Sequence, residues 1–461
     1  MGARVAERVL RIAVVGAGIT GLSAAWLIGE RHEVTLFEAE PRLGGHSNTV
    51  DVTLPEGQIP VDTGFIVYNP PAYPNLVALF DHLGVETADS NMSFSVSLDG
   101  GTYEYCGTGL SGYFGQRSNL VSLAHWRMAA EILRFHREAA ALDQAGGDPS
   151  YTLGAFLRER RYGSVFIERH ILPMAAAIWS APAAAMLDYP AASFARFFGN
   201  HQLLQASGFP IWRTVVGGSR AYVARLKQDL RATVRTNEPV VRLKPAGNGV
   251  EVTTASGACE RFDRVAVCCH ADAALAMIDG PTAQERSVLG AFRYAKNRAV
   301  LHTDPAFMPR RRAVWSSWNN VSRDPSAPVS VTYWMNALQP LATQTNCFVT
   351  LNPHGEVAPG AMIAAFDYDH PLFDTAAIRA QADIWELQGR RGMWFGGAHL
   401  GSGFHEDGLQ AGLAIAEDMT RDGDAVVRPW GVADQNGRLA LPAGYHRRPA
   451  ADAVGPIAEA V

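Results

Sequence analysis

The chain has 461 residues, 48% of them hydrophobic and 18% charged, with a formal net charge of −5. That length predicts a large core and two domains, and the negative balance argues against a nucleic-acid partner, which needs a basic surface. Five cysteines (Cys106, Cys259, Cys268, Cys269, Cys347) form neither a disulfide framework nor a metal-ligand spacing, and no run reaches the roughly 18–20 apolar residues that span a bilayer. With no signal-peptide pattern, the expectation is a reducing, cytoplasmic setting, and no metal.

The first predicted elements carry the strongest motif. Residues 11–15 (RIAVV) read as a buried strand that runs into Gly16, Gly18 and Gly21 and then a helix. In this G-x-G-x-x-G spacing the first glycine permits a tight turn, the second lets backbone approach a pyrophosphate, and the third packs helix on strand. Ala17, Ile19 and Thr20 complete the turn and the first helical residues, whose free N–H groups face the phosphates. The next strand, residues 33–37, ends in Glu38, placed to accept from a ribose hydroxyl.

Residues 38–46 (EAEPRLGGH) then bring a second diglycine, Gly44-Gly45, which an NAD domain has no reason to hold. The run resembles the FAD fingerprint of the flavin amine oxidase, carotenoid desaturase and protoporphyrinogen oxidase group. The resemblance implies non-covalent FAD contacted by Glu38, Ala39, Arg42, Gly44, Gly45 and His46, where most members carry Arg in place of His46. Residues 61–65, with Thr63, Gly64 and Phe65, look like the strand and turn that pass beside the flavin in that group.

The pattern changes over residues 86–212. Residues 92–98 alternate as a strand, 125–142 read as a long helix, and 166–179 as an apolar helix, core rather than interfacial. The nucleotide theme returns over 213–284. There Val215-Val216-Gly217-Gly218 leads into a helix, and an antiparallel meander runs from 237 to 267. By resemblance, Val240, after Glu238-Pro239, holds adenine through its backbone. Residues 285–390 read as substrate domain again, with Trp315, Trp318, Tyr333 and Trp334 close together and more often core than substrate wall. Residues 391–421 look like the third FAD block: Gly396-Gly397, then a loop through His405 that feeds a helix over 409–419, beginning at Leu409, with Glu406 and Asp407 at its N-terminus. In the group that helix N-terminus faces the flavin pyrimidine edge, with His405 or a neighbour supplying a backbone amide and Phe404 as an active-site aromatic. Ala398 and His399 replace the usual acid. Residues 422–461 read as a Pro/Gly/Arg/Ala-rich tail, extended or partly disordered.

The expected fold is therefore α/β. A Rossmann-like FAD domain, a three-layer ββα arrangement, is built from residues 10–85, 213–284 and 391–421 and interrupted by an α+β substrate domain at 86–212 and 285–390, as in amine oxidases. In amine oxidases of the group a lysine bonds a water near the flavin and two aromatics frame the amine. Lys296 is the best placed of three lysines (Lys227, Lys244, Lys296), with Phe404 and Tyr368 as the aromatics. The nearest overall likeness is to a bacterial branch of FAD-dependent oxidoreductases, carried by Tyr68-Asn69, Tyr73-Pro74-Asn75, residues 301–304 (LHTD), 315–319 (WSSWN), 370–373 (HPLF) and 403–408 (GFHEDG). Similar domains accompany cyclopropane or methyl-transferring fatty-acid synthases. This implies a lipid substrate, a desaturase-like reaction, a methyltransferase partner and peripheral contact with the inner membrane face. Two alternatives stand beside it: an oxidase of a mono- or polyamine, and a binding module of the GDP-dissociation-inhibitor type that uses no flavin.

Overall fold

A computed structural model describes residues 9–145, 147–205, 210–322, 330–421 and 425–431. Strand β1 (Arg11–Val15) lies in a five-stranded parallel sheet between β2 (Glu33–Phe37) and Arg264–Val267; Thr233–Arg235 and Met393–Phe395 form its edges. Helices cover such a sheet on its faces, so after the exposed Arg11 residues 12–15 of β1 form an unbroken apolar run. Helix α1 (Ile19–Ile28) is buried at all ten positions, the mark of a helix enclosed by structure on every side. The helix His405–Thr420 crosses it closely. A Cβ on Gly412 would sit 2.2 Å from Ser23 Oγ and from the Thr20 carbonyl oxygen, so that contact admits only glycine.

The meander splits where one reading had been expected. Val240–Ala246, Gly249–Thr254 and Cys259–Phe262 form a three-stranded antiparallel sheet, and Arg264–Val267 leaves it to pair with β1. Asp263 makes the change of sheet: its N–H donates to the Arg11 carbonyl (2.8 Å) and its carboxylate accepts from Arg11 N (2.9 Å). The parallel sheet thus gathers strands from residues 11–37, 233–267 and 393–395, with the glycine turns at its carboxyl edge.

The substrate domain is a seven-stranded sheet in the order Met362–Leu372, Arg293–His302, Phe348–Leu351, Ser330–Trp334, Trp318–Val321, Phe94–Leu98, Tyr103–Cys106. Helix α2 (Pro74–Leu83) belongs to the nucleotide side. Helix α3 (Gly109–Tyr113), helix α4 (Leu123–Ala145) and helix Ala191–Asn200 lie on the substrate side. The apolar segment at 166–179 is core, as expected: a π-turn Ile167–Ile171 leads into Leu172–Trp179, with Phe166, Ile171, Ala175 and Trp179 buried. The helix at the third block begins at His405, four residues before Leu409.

Of the C-terminal tail, residues 425–431 are described; Val426 and Arg428 are buried, while Val427, Pro429 and Gly431 are exposed. Trp430 stacks on Trp26 (5.8 Å between centroids) and donates to Asn75 Oδ1, while the Arg428 guanidinium reaches Glu417 and Asn75. The rest of that expectation, at 422–424 and 432–461, lies outside the described residues.

Candidate active site

The nucleotide turn is built as its spacing demands. Gly16 has φ +97°, and a Cβ on Gly21 would lie 1.7 Å from the Gly16 carbonyl oxygen, so helix and turn touch through glycine alone. Glu38 closes the turn: Oε2 accepts from Ala17 N (2.7 Å) and Oε1 from Glu40 N (2.9 Å). Glu238 N then donates to the Glu38 carbonyl and Asn237 N to that of Glu40, bringing the Val240 segment to the same edge. Gly18 differs from its neighbours. A Cβ built on it meets nothing within 4 Å, although a Cβ on Gly45 would come within 3.1 Å of the Gly18 Cα. This open backbone, at a helix N-terminus and flanked by the second diglycine, fits a pyrophosphate. Gly44 N donates to the Ala17 carbonyl (2.8 Å), and Arg42 reaches the Ser47 carbonyl (3.4 Å).

Beyond the diglycine the chain folds back on itself. Phe65 N donates to the His46 carbonyl (2.8 Å), and a Cβ on Gly64 would strike that same carbonyl oxygen. Phe65 then stacks face to face on His405, with centroids 3.8 Å apart. His405 Nε2 is 2.6 Å from Tyr222 Oη and 3.2 Å from Ser47 Oγ. One ring thus ties together the three blocks of the nucleotide domain. Leu409 is fully buried, Gly396 faces Thr20 and Ile415, and Gly397 faces the His399 ring.

The substrate sheet reaches this edge through Met362–Leu372. Tyr368 Oη hydrogen-bonds Thr63 Oγ1 (2.9 Å) and Asn48 Nδ2 (3.0 Å), and its ring stacks on His46 (4.9 Å). His370 lies 5.6 Å from His46, and His270 6.4 Å from it; Tyr294 stacks on His270 at 4.4 Å. The hydrogen bonds around His370 fix its tautomer. Arg298 N donates to Asn352 Oδ1 (3.0 Å), so the other end of that amide donates, through Nδ2, to Asn297 Oδ1 (2.7 Å). Asn297 Nδ2 in turn donates to the Ala295 carbonyl and to His370 Nδ1 (2.9 Å). Nδ1 is the acceptor, so the neutral ring carries its proton on Nε2.

Two expectations are corrected in position. Lys296 is exposed, and it is its neighbour Asn297, only 3% exposed, that pairs across the sheet with Tyr368. The strand alternates faces, so Lys296 stands off the cluster. Changing Lys296 to Met is accordingly expected to leave FAD content and the anaerobic rate of flavin reduction within twofold of wild type; a large loss of rate would return it to the site. Glu406 is wholly buried, but its carboxylate accepts from Asn75 N, Asn75 Nδ2, Leu76 N and Gln410 Nε2, so it caps helix α2. Asp407 Oδ2 accepts from Phe404 N (2.8 Å). Phe404 packs on the substrate side, 4.9 Å from Phe197, 5.7 Å from His201 and 6.5 Å from Trp179. Sequence reasoning gave no role to His370, Asn297, Asn352 or Tyr222. His370 was visible as part of a recurring run, but its partners arrive from two other strand regions.

Burial keeps the histidines neutral. It pushes His399 and His405 down to about 3 and His370 to about 4, the last aided by His270; it also lowers His46, with further push from His370 and His270. Unfolded histidines titrate near 6.5. Below that pH the unfolded chain takes up protons that the folded chain refuses, so stability is complete above about 6.5 and is lost as pH falls toward 4. Thermal melts should show the midpoint dropping continuously through that window, with uptake of several protons on unfolding. A midpoint flat from pH 7 to 4.5 would contradict these neutral, buried rings.

A discontinuous dinucleotide domain, a second diglycine and a mixed substrate sheet closing over the strand ends define an FAD-dependent oxidoreductase. The chain belongs to the flavin containing amine oxidoreductase family, whose profile matches residues 19–354. A Mycobacterium tuberculosis protein bearing the name of a flavin-containing monoamine oxidase is 26% identical over 374 residues, 77% of this chain and 74% of its own. A stretch of 40 residues, 8% of either chain, is 58% identical to an L-amino-acid oxidase of Pseudechis australis. Among solved structures, a redesigned putrescine oxidase superposes with TM-score 0.67 at 16% identity, covering 90% of this chain and 100% of that one. A CLA-producing fatty acid isomerase from P. acnes gives 0.62 at 15%, covering 89% and 98%. These two likenesses establish the shared fold.

Proposed function

We propose that this chain is an FAD-dependent dehydrogenase that desaturates an apolar substrate of the fatty-acyl class. Bound FAD supplies the hydride acceptor; the protein's part is to orient the substrate carbon and keep water out. The observation that carries the reading is the chemistry around Phe404. Its described ring neighbours are Phe197, Trp179 and His201, and the first two belong to a cluster of buried aromatic and aliphatic side chains. Buried carboxylates that could receive an ammonium are already engaged. Asp62 accepts from Thr49, Ser219 and Gln339; Glu104 from Ser97 and the backbone of Arg310; Glu285 from Arg391; Glu406 from helix α2. An acyl chain asks only for apolar contact, and a C–H beside an existing double bond is the better hydride donor.

Oxidation of an amine is the second reading, favoured by the family and by the name of the M. tuberculosis relative. Tyr368 beside His46 would then offer the aromatic frame. Anaerobic mixing of the FAD-loaded protein separates the two. Phospholipid or unsaturated and methylated fatty acids are expected to bleach the flavin absorbance, and a panel of mono- and polyamines is not. Bleaching by amines alone would reverse the assignment.

A further inference from the structure

Helix α4 is apolar on two faces. The inward face buries His125, Met128, Phe135 and Ala139 against the substrate domain. The outward face repeats the pattern at the same helical spacing: Leu123 (64% exposed), Trp126 (49%), Ala130 and Leu133 (56%) follow one another at i, i+3, i+7 and i+10. The turn that leads into the helix adds Val121 (89%) and Leu120 (51%), and helix α3 adds Leu110 (77%). These residues form one surface. Trp126 Nε1 donates to the Leu120 carbonyl (2.9 Å), the Trp126 ring lies 4.8 Å from that of Phe114, and Phe114 N donates to the Leu110 carbonyl (3.0 Å). A contiguous exposed apolar face on a soluble-type fold marks an interaction site.

Its charge says what it meets. From residue 105 to residue 130 there is no Asp or Glu, and Glu131, the one acid within the span of the patch, is partly buried and engaged by the Gly163 N–H (2.9 Å) and by Arg134 (3.7 Å); the exposed charges from 105 to 130 are Arg117 and Arg127, on a chain of net −5. An isologous dimer through this face would bring two copies of the cationic patch into one interface. A surface of anionic headgroups over hydrocarbon satisfies both halves of the patch: arginine pairs with phosphate, tryptophan sits at the interface, and the aliphatic side chains enter below. Among the described residues no helix is long and apolar enough to cross a membrane, so the contact is peripheral.

We propose that α3, the 117–121 turn and the outer face of α4 dock this protein on an anionic lipid bilayer. The inference deepens the acyl-substrate reading and rests on it for its meaning, since one helix separates the patch from the site. In helix Ala191–Asn200, Phe194 and Phe198 pack on Phe135 of α4, while Phe197 packs on Phe404. The test reads binding alone, so its failure and that of the acyl reading are told apart.

The full FAD-loaded chain is sedimented with extruded phosphatidylcholine vesicles, with and without about one third phosphatidylglycerol, at low and high salt. Wild type is expected to pellet with the anionic vesicles, and its partition to fall at least tenfold on neutral vesicles or in high salt. The double variant Val121→Asp/Leu123→Asp should lose at least tenfold while keeping wild-type melting and FAD content, because both side chains are exposed. Ile211→Asp, an exposed apolar residue outside the patch (65%), should bind as wild type. The proposal is overturned if wild type ignores anionic vesicles, if the double variant binds them undiminished, or if that variant converts a lipid-free dimer into monomer.

Discussion

A Gly18→Val chain is expected to fold as well as wild type and to bind FAD at least about a hundredfold more weakly, a loss of about 2.7 kcal/mol. The two halves of that outcome come from different neighbours. Within the protein nothing opposes the side chain: a Cβ on Gly18 finds open space to 4 Å, and its backbone, at φ −69° and ψ −178°, is extended and suits a β-branched residue. The cofactor is what objects, because the pyrophosphate needs bare backbone there. Gly16 supplies the contrast. With φ +97° and a Cβ that would lie 2.7 Å from the Cys268 carbonyl oxygen, Gly16→Val should damage the turn itself and lower the melting point of the apoprotein. Melting of both variants without FAD, followed by flavin titration, separates the effects. Stoichiometric FAD in Gly18→Val would refute the assignment of this turn.

The second large effect is on stability. Glu406→Ala is expected to cost about 3 kcal/mol, because it strips an acceptor from three donors at the start of helix α2 and from Gln410 in a site with no exposure. Asn75 and Leu76 are the first free N–H groups of that helix behind Pro74, so the carboxylate serves as a cap delivered from a helix more than 300 residues away. The charge also complements the helix dipole. Glu406→Gln keeps one carbonyl but turns an NH2 toward the cluster, and should fall between. Urea unfolding at pH 7 reads both; a loss under about 0.5 kcal/mol for Glu406→Ala would mean the cap contributes little.

The nucleotide domain was legible because its signal is local. Gly16, Gly18 and Gly21 must sit at fixed spacing whatever surrounds them, and Glu38, Gly44 and Gly45 follow from the same turn. The later blocks, at 213–284 and 391–421, could be joined to it because strand, glycine and helix recur in the same order. The substrate domain was less legible, for reasons of parity and distance. On a strand one residue decides the face. Lys296 is the lysine best placed along the sequence, while Asn297 is the residue turned inward beside Tyr368 and His370. Likewise an acid at a helix start suggests a dipole partner, and nothing near Glu406 in the sequence points to Asn75. The break at Asp263, where an antiparallel meander hands its last strand to the parallel sheet, was hidden because residues 262–267 read as one continuous strand. The His370 relay needs Asn297 and Asn352, each ordinary by itself and informative only once three strand regions meet.

FAD is expected to lie along one cradle assembled from three separated stretches of chain. The most direct measurement is the flavin content of the purified protein, reconstituted where necessary and then denatured in acid. The prediction is close to one FAD per chain, released wholly into the supernatant with its visible spectrum. Protein that stays colourless after reconstitution, or releases no flavin nucleotide, would contradict it.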